Sequence, residues 1–263
     1  MQYYKYFGLL ILGLTFALAS CSDDNGSNPD DDNNSNARDY FPEEVGNYWI
    51  LDAYDLDMNN NPVTDTYRTD SMIVAGSVNL LDKDADTFLI YDEDNELKSQ
   101  KYFYNDDDDV FIHSDFLNLF LSEIGGAMFS LPFNLGNRWI KIADFKENNW
   151  AVFDTTFQDF DLYNGILVSG NFSAKGKKGD QMNISVGSQS YKSQEFILTF
   201  QFNGFVSIDP DTEKVFTFNI HHWFGEGVGL IMTTYESSVF DFGIGSYDFM
   251  GKEEKVKRFN IIN

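Results

Sequence analysis

The sequence predicts an all-β fold: one large, curved antiparallel sheet, half-barrel like, with a single short inserted helix. A two-sheet sandwich is the alternative. Three observations support this. Aromatic residues make up 17% of the 263 residues, led by 26 Phe and 14 Tyr, and 20 Gly beside 5 Pro suit a chain of turns. Phe196, Leu198, Phe200 and Phe202 alternate with Ile197, Thr199, Gln201 and Asn203, and Phe216, Phe218, Ile220, His222 and Phe224 alternate with Thr217, Asn219, His221 and Trp223. A period of two means one buried and one wetter face. Finally, Phe41-Pro42-Glu43-Glu44-Val45-Gly46-Asn47-Tyr48-Trp49-Ile50 is echoed by Leu131-Pro132-Phe133-Asn134-Leu135-Gly136-Asn137-Arg138-Trp139-Ile140. Each copy reads as a turn at Gly-Asn followed by a strand that opens on Trp-Ile, with both Trp side chains expected to be buried.

The chain begins with a secretory signal over residues 1–20: one positive charge, Lys5, then the apolar run Phe7 to Leu18, which is short for a membrane span. The run ends Leu18-Ala19-Ser20-Cys21, which resembles a bacterial lipobox. The resemblance implies cleavage before Cys21, a diacylglycerol on its sulfur and acylation of the new N-terminus. Several acyl chains, at about 0.8 kcal/mol per buried methylene, anchor a protein almost permanently. Cys21 is the single cysteine, so the chain can form no internal disulfide and no multi-Cys zinc site. Residues 21–39 are rich in Asp, Asn and Ser and bury nothing, so they are expected to be an acidic flexible tether, with one β-rich domain over 40–263.

Within that domain Asn47 to Asp55 is the first strand and Asp57 to Pro62 a turn. Thr64 to Ser77 follows, then a hairpin of Thr87 to Tyr91 and Leu97 to Tyr104, then the short Val110 to His113. The helix starts near Asp115: Phe116, Leu119, Phe120 and Ile124 share a face, Ser114 or Asp115 caps it and Gly125-Gly126 stops it. At about ten residues it must pack on the sheet to be stable, and it could plug one end. Ala151 to Phe157, Ile166 to Ala174 and Met182 to Val186 read as strands, with Lys175 to Asp180 as a hairpin turn between the last two. Asp209 to Glu213 joins the two alternating strands, Gly225 to Gly229 turns into Leu230 to Tyr235, and Lys252 to Asn263 ends in an edge strand. The total is about ten to fourteen strands of ordinary length.

A formal charge of -24 repels phosphate backbones and excludes nucleic acid as a partner. Nucleophilic catalysis has little support: no Gly-x-Ser-x-Gly elbow occurs, the cysteine carries lipid, and there are three His. Adjacent His221 and His222 face opposite sides of a strand and do not readily share an ion. His222 suits the core, whereas His221 lies with Trp223 on the other face, where the pair could contact a ligand. Gly225-Glu226-Gly227-Val228-Gly229 precedes a strand and has no helix N-terminus to hold phosphate, so it is a tight turn. Asp55, Asp57 and Asn59 present oxygens at alternate positions and are candidate calcium ligands, as are Asp82, Asp84 and Asp86, but neither run has the Gly and Glu of an EF-hand loop. Tyr48, Tyr54 and Trp223 could stack on sugar rings.

Phe41-Pro42-x-x-Val45-Gly46-Asn47-x-Trp49, its echo at Pro132 to Trp139, and the late Gly227-Val228-Gly229-Leu230 resemble a family of Bacteroidota surface lipoproteins of unassigned function. This chain departs at the close, with Phe224-Gly225-Glu226 in place of Ala-Pro and Ile231-Met232 in place of Val-Lys. The acidic start after Cys21 resembles the export signal of surface-exposed lipoproteins of the same group. The family is in turn similar to half-barrel lipoprotein carriers, in which a curved sheet and inserted helix enclose an apolar groove. The resemblance implies an outer-membrane, lipid-anchored protein facing the cell exterior, with the periplasmic face as the rival address. It carries no catalytic residues. As function it implies non-catalytic binding of an apolar or amphipathic ligand under the helix at Phe116, Phe120 and Ile124. The alternative is adhesion or glycan capture by exposed aromatic and acidic loops, and a carboxylate-pair hydrolase ranks last.

The address is testable in cells. Cys21→Ser should abolish lipid labelling and release the chain from the membrane, and protease added to intact cells should digest the wild-type domain. Protection of the domain in intact but not lysed cells would place it on the periplasmic side.

Overall fold

The computed structural model describes residues 37–115, 136–241 and 245–262. A helical turn, α1 (Ala37–Tyr40), stands where the end of the tether was expected, and leads into β1 (Tyr48–Asp55). Then come β2 (Arg68–Leu80), β3 (Lys83–Tyr91), β4 (Leu97–Asp106), β5 (Asp109–His113), β6 (Trp139–Asp144) and β7 (Asn149–Tyr163). Three long strands follow, β8 (Ile166–Val186), β9 (Gln189–Val206) and β10 (Asp209–Gly225). β11 (Gly229–Tyr235), a small hairpin of β12 (Ser238–Asp241) and β13 (Ser246–Phe249), and β14 (Lys252–Asn260) complete the chain.

Twelve strands form one antiparallel sheet in the order β6-β5-β4-β3-β2-β1-β14-β11-β10-β9-β8-β7, and β12 and β13 pair separately. The sheet's two outer strands, β6 and β7, are consecutive in the chain. The edges are brought together there: Trp150 Nε1 of β7 donates to the Lys141 carbonyl of β6 at 3.2 Å, and Lys178 N of β8 to the carbonyl of Asn148 in the connecting loop at 3.0 Å. The result is the expected large, curved antiparallel sheet, closed further than a half-barrel into a nearly closed barrel, which protects the edges.

The Phe-rich alternation points inward as expected. Phe200 stacks on Phe218 at 4.6 Å and Phe202 on Phe216 at 4.7 Å, and Phe240 of β12 covers Phe216 edge-on at 4.9 Å. At the end where β1 starts, the leading segment fills the barrel. Phe41 lies 5.4 Å from Phe88 and 5.1 Å from Phe103, Tyr40 sits 4.7 Å from Phe145, and Trp49 Nε1 donates to the Val228 carbonyl at 2.7 Å. Among the described residues, a void of about 10 Å³ lies between Phe41, Trp49, Phe88 and Phe103, roughly the minimum for one water, so these side chains pack closely.

Four readings of the sequence need correction. Lys175 to Asp180 is not a turn: β8 runs straight through it. Gly176 and Gly179 instead make room, since a Cβ on Gly176 would lie 1.8 Å from the Trp150 ring and one on Gly179 2.1 Å from Glu195. The β9–β10 turn falls at Ser207-Ile208, and Asp209 to Glu213 belongs to β10 as a bulged stretch. The last strand is not at an edge but between β1 and β11. The repeated phrase does not place its two Trp alike. Gly46 and Gly136 both take positive φ (96° and 68°) and both strands start just after Asn. Trp49 points into the barrel, whereas in β6 it is Ile140 that points in, leaving Trp139 half-buried on the outer face against Tyr104 at 4.7 Å. Of the expected helix, Ser114 and Asp115 are helical, and Phe116, Phe120 and Ile124 lie outside the described residues.

Closure through Trp150 makes a double-mutant cycle informative. Gly176→Ala should destabilise by about 1–3 kcal/mol through overpacking. In a Trp150→Ala background the same change should cost much less, as read from urea unfolding midpoints.

Candidate functional site

At the opposite end of the barrel the inner face is charged and open. A cavity of about 530 Å³ is lined by Arg68, Lys98, Lys101 and Lys252, by Asp55, Asp70 and Glu254, and by apolar groups including Ile90, Tyr235, Phe249 and Met250. Seven strands, β1 to β4, β11, β13 and β14, contribute to its lining, and β2, β4 and β14 supply most of its charges. Asp70 shares the inner face of β2 with buried Met72 and Val74, and Lys101 shares that of β4 with Phe103. On β14 the inner row is Lys252, Glu254 and Val256. Lys98 is delivered by an irregularity: Ile90 pairs with Ser99 and Tyr91 with Leu97, so Lys98 is an extra residue opposite none. Such a bulge re-aims a side chain, and here the ammonium reaches Asp70 Oδ2 at 2.7 Å.

The charges are cross-linked. Arg68 pairs with Asp55 at 3.0 Å, and Lys252 pairs with Glu254. Burial alone would raise the Glu254 carboxyl, but Lys252 and Lys101 draw it down to about 2. Burial, more than any neighbour, lowers the Lys101 ammonium below its usual range, with Glu254 pulling the other way. Deeper in, His222 faces Thr233 across β10 and β11, with Nδ1 3.4 Å from the hydroxyl, and Glu254 faces Thr233 across β14. Burial first, and then Lys101 and His221, hold His222 at about 3, so it is a neutral imidazole at physiological pH. Asp70 is 2% exposed, and its Oδ1 accepts no hydrogen bond from the described residues. A buried carboxylate oxygen without a donor costs on the order of 1–3 kcal/mol, and such a group calls for an explanation.

Of the candidates read from the sequence, Asp55 lines the cavity, His221, Trp223, Asp57 and Asn59 are not among its lining residues, and Phe116, Phe120 and Ile124 lie outside the described residues. His221 is on the outer face, its Nδ1 2.8 Å from Glu195 and its Nε2 2.9 Å from Glu236, and Trp223 stacks on it at 5.4 Å. Both faces of the strand are thus as expected, but the pair is engaged within a protein network, and Trp223 also packs on the core. Asp55 is committed to Arg68, and Asp57 Oδ1 accepts the Asn59 and Asn61 backbone N–H groups, closing its own turn. The calcium loop is therefore a hydrogen-bonded turn, and among the described residues no three His, Cys, Asp or Glu converge. Sequence reasoning missed the cavity although a signal was present. Lys252-Glu253-Glu254-Lys255-Val256-Lys257 is charged at alternate positions on both faces, which in a central strand requires a polar interior.

No protein-family model matches the chain, and no curated protein matches it. Two solved structures are similar in fold. One is a lipoprotein from Parabacteroides distasonis, with TM-score 0.45 and 13% identity over 84% of this chain and 98% of that one. The other is an exported protein with a YmcC-like fold from Bacteroides fragilis, with TM-score 0.38 and 8% identity over 84% of this chain and 98% of that one.

The buried imidazole sets an acid limb. Below pH 6.5 the unfolded chain takes up a proton at His222 that the folded protein refuses until about pH 3, so stability falls as pH drops through that window. Glu254 adds to the loss between 4.5 and about 2, because its stabilisation is complete only above 4.5. Asp86 opposes it between about 6 and 3.8, since burial and Glu44 raise its folded value to about 6. His222→Gln should therefore flatten the fall between pH 6.5 and 3 in a series of urea midpoints. Parallel curves for variant and wild type would contradict this assignment.

Proposed function

We propose that the chain is a lipid-anchored, non-catalytic binding protein of the bacterial outer membrane, facing the cell exterior. Its ligand is a small amphipathic molecule held in the charged end of the barrel. The observation that carries this reading is the 530 Å³ cavity, a size usual for small-molecule sites, with apolar walls and four cations against three carboxylates. Its excess of cations is notable within a chain of net charge -24, where solubility alone would not call for it. This moves the ligand from the apolar groove that the half-barrel resemblance implies to a polar chamber, because the apolar half of the barrel is packed with its own aromatic side chains. Binding without chemistry is favoured by the histidines. His222 is buried and neutral, His221 is held between two carboxylates, and neither lines the cavity.

Retention of a natural ligand tests the reading. Native mass spectrometry of the protein extracted in detergent from its own membranes should show a bound small molecule, and a Lys98→Ala/Lys252→Ala variant prepared alike should lose most of it. A wild-type protein that flies bare under the same gentle conditions would overturn the proposal.

A further inference from the structure

The chemistry of the cavity narrows what it takes, provided that it is the binding site proposed above. Asp70 offers the first constraint. Its carboxylate is almost fully buried on the cavity wall, Lys98 satisfies Oδ2, and Oδ1 is left without a donor among the described residues. Carboxylate torsions are broad, so a small rotation of the Asp70 side chain, followed by the flexible Lys98, presents that oxygen to the cavity. A ligand that fits must therefore bring a hydrogen-bond donor. The second constraint is charge. Among the lining residues the cations Arg68, Lys98, Lys101 and Lys252 outnumber the carboxylates Asp55, Asp70 and Glu254, which favours a ligand that carries negative charge. A donor that is itself cationic would add to the cations, whereas a hydroxyl donates and adds no charge. The third constraint is the wall of Ile90, Phe249 and Met250, which suits a short hydrocarbon segment.

We infer that the cavity binds a hydroxyl-bearing monocarboxylate, with its hydroxyl donated to Asp70, its carboxylate against Lys101 and Lys252, and its hydrocarbon part on Ile90, Phe249 and Met250. Discrimination then comes from Asp70, since a site that loses a buried hydrogen bond rejects the analogue far more strongly than one that loses a methylene. Lys101 and Lys252 supply affinity common to all carboxylates.

Calorimetric titration with 3-hydroxyoctanoate and with octanoate tests this on the intact chain. The hydroxy acid should bind at least tenfold more tightly, and in Asp70→Ala the two should bind alike. Equal affinity of the wild-type protein for both acids would overturn the hydroxyl assignment while leaving the cavity a carboxylate site. If neither acid binds, the inference is wrong, and a bound molecule seen by native mass spectrometry would still uphold the broader reading. The wild-type comparison stands even if Asp70→Ala folds poorly. A tighter grip on 2-aminooctanoate than on the hydroxy acid would also refute the charge argument.

Discussion

The structure depends on β14 being hydrogen-bonded on both sides, to β1 and to β11. That double pairing joins the early half of the sheet, β1 to β6, to the late half, β7 to β11. Without it the molecule would be two separate sheets, each with a long open edge. With it, one sheet curls until its outer strands meet at Trp150. The same placement carries Lys252 and Glu254 inside, so the strand that closes the barrel also makes one end of it polar.

Two ways of filling a barrel thus meet in one interior. One end is packed by Phe41, Trp49, Phe88, Phe103 and Phe224, all buried, with a void of about 10 Å³ among these described residues. The other end spends stability on charges removed from water. Pairs such as Lys98 with Asp70 offset part of that desolvation but rarely all of it, and replacing such groups by well-packed apolar ones is often neutral or stabilising. The unpaired oxygen of Asp70 adds to the cost. A fold that needed only stability could have continued the Phe ladder, and the charged end is what the proposed binding role calls for.

Much of this fold was legible in the residues. The alternation in β9 and β10 announced one apolar face, and Phe196 to Phe202 do line the interior. The Gly225 to Gly229 turn falls where glycines allow it, with Gly227 and Gly229 at positive φ. His222 points in and His221 out, as a period of two requires. What failed was whatever tertiary partners decide. Gly176 and Gly179 resemble turn glycines until Trp150 and Glu195 are seen to occupy the space beside them. Trp49 and Trp139 share a phrase yet face opposite sides, because the face is set by each strand's neighbours and not by its opening residues. The charged ending suggested solvent on one side, since nothing local reveals that another strand lies beyond it. The cavity was hidden for the same reason: Asp70, the Lys98 to Lys101 stretch and Glu254 lie on strands separated in the chain and come together only when the sheet assembles.

The central claim is that this polar chamber, not the outer face, is where the protein meets its ligand. The most direct measurement is a crystal structure of the protein purified from its own membranes without refolding. The account predicts non-protein density inside the barrel, within about 2.7–3.2 Å of Asp70 and of the Lys101 ammonium. A chamber holding only water, with ligand density instead against Trp223 and His221 on the outer face, would contradict it.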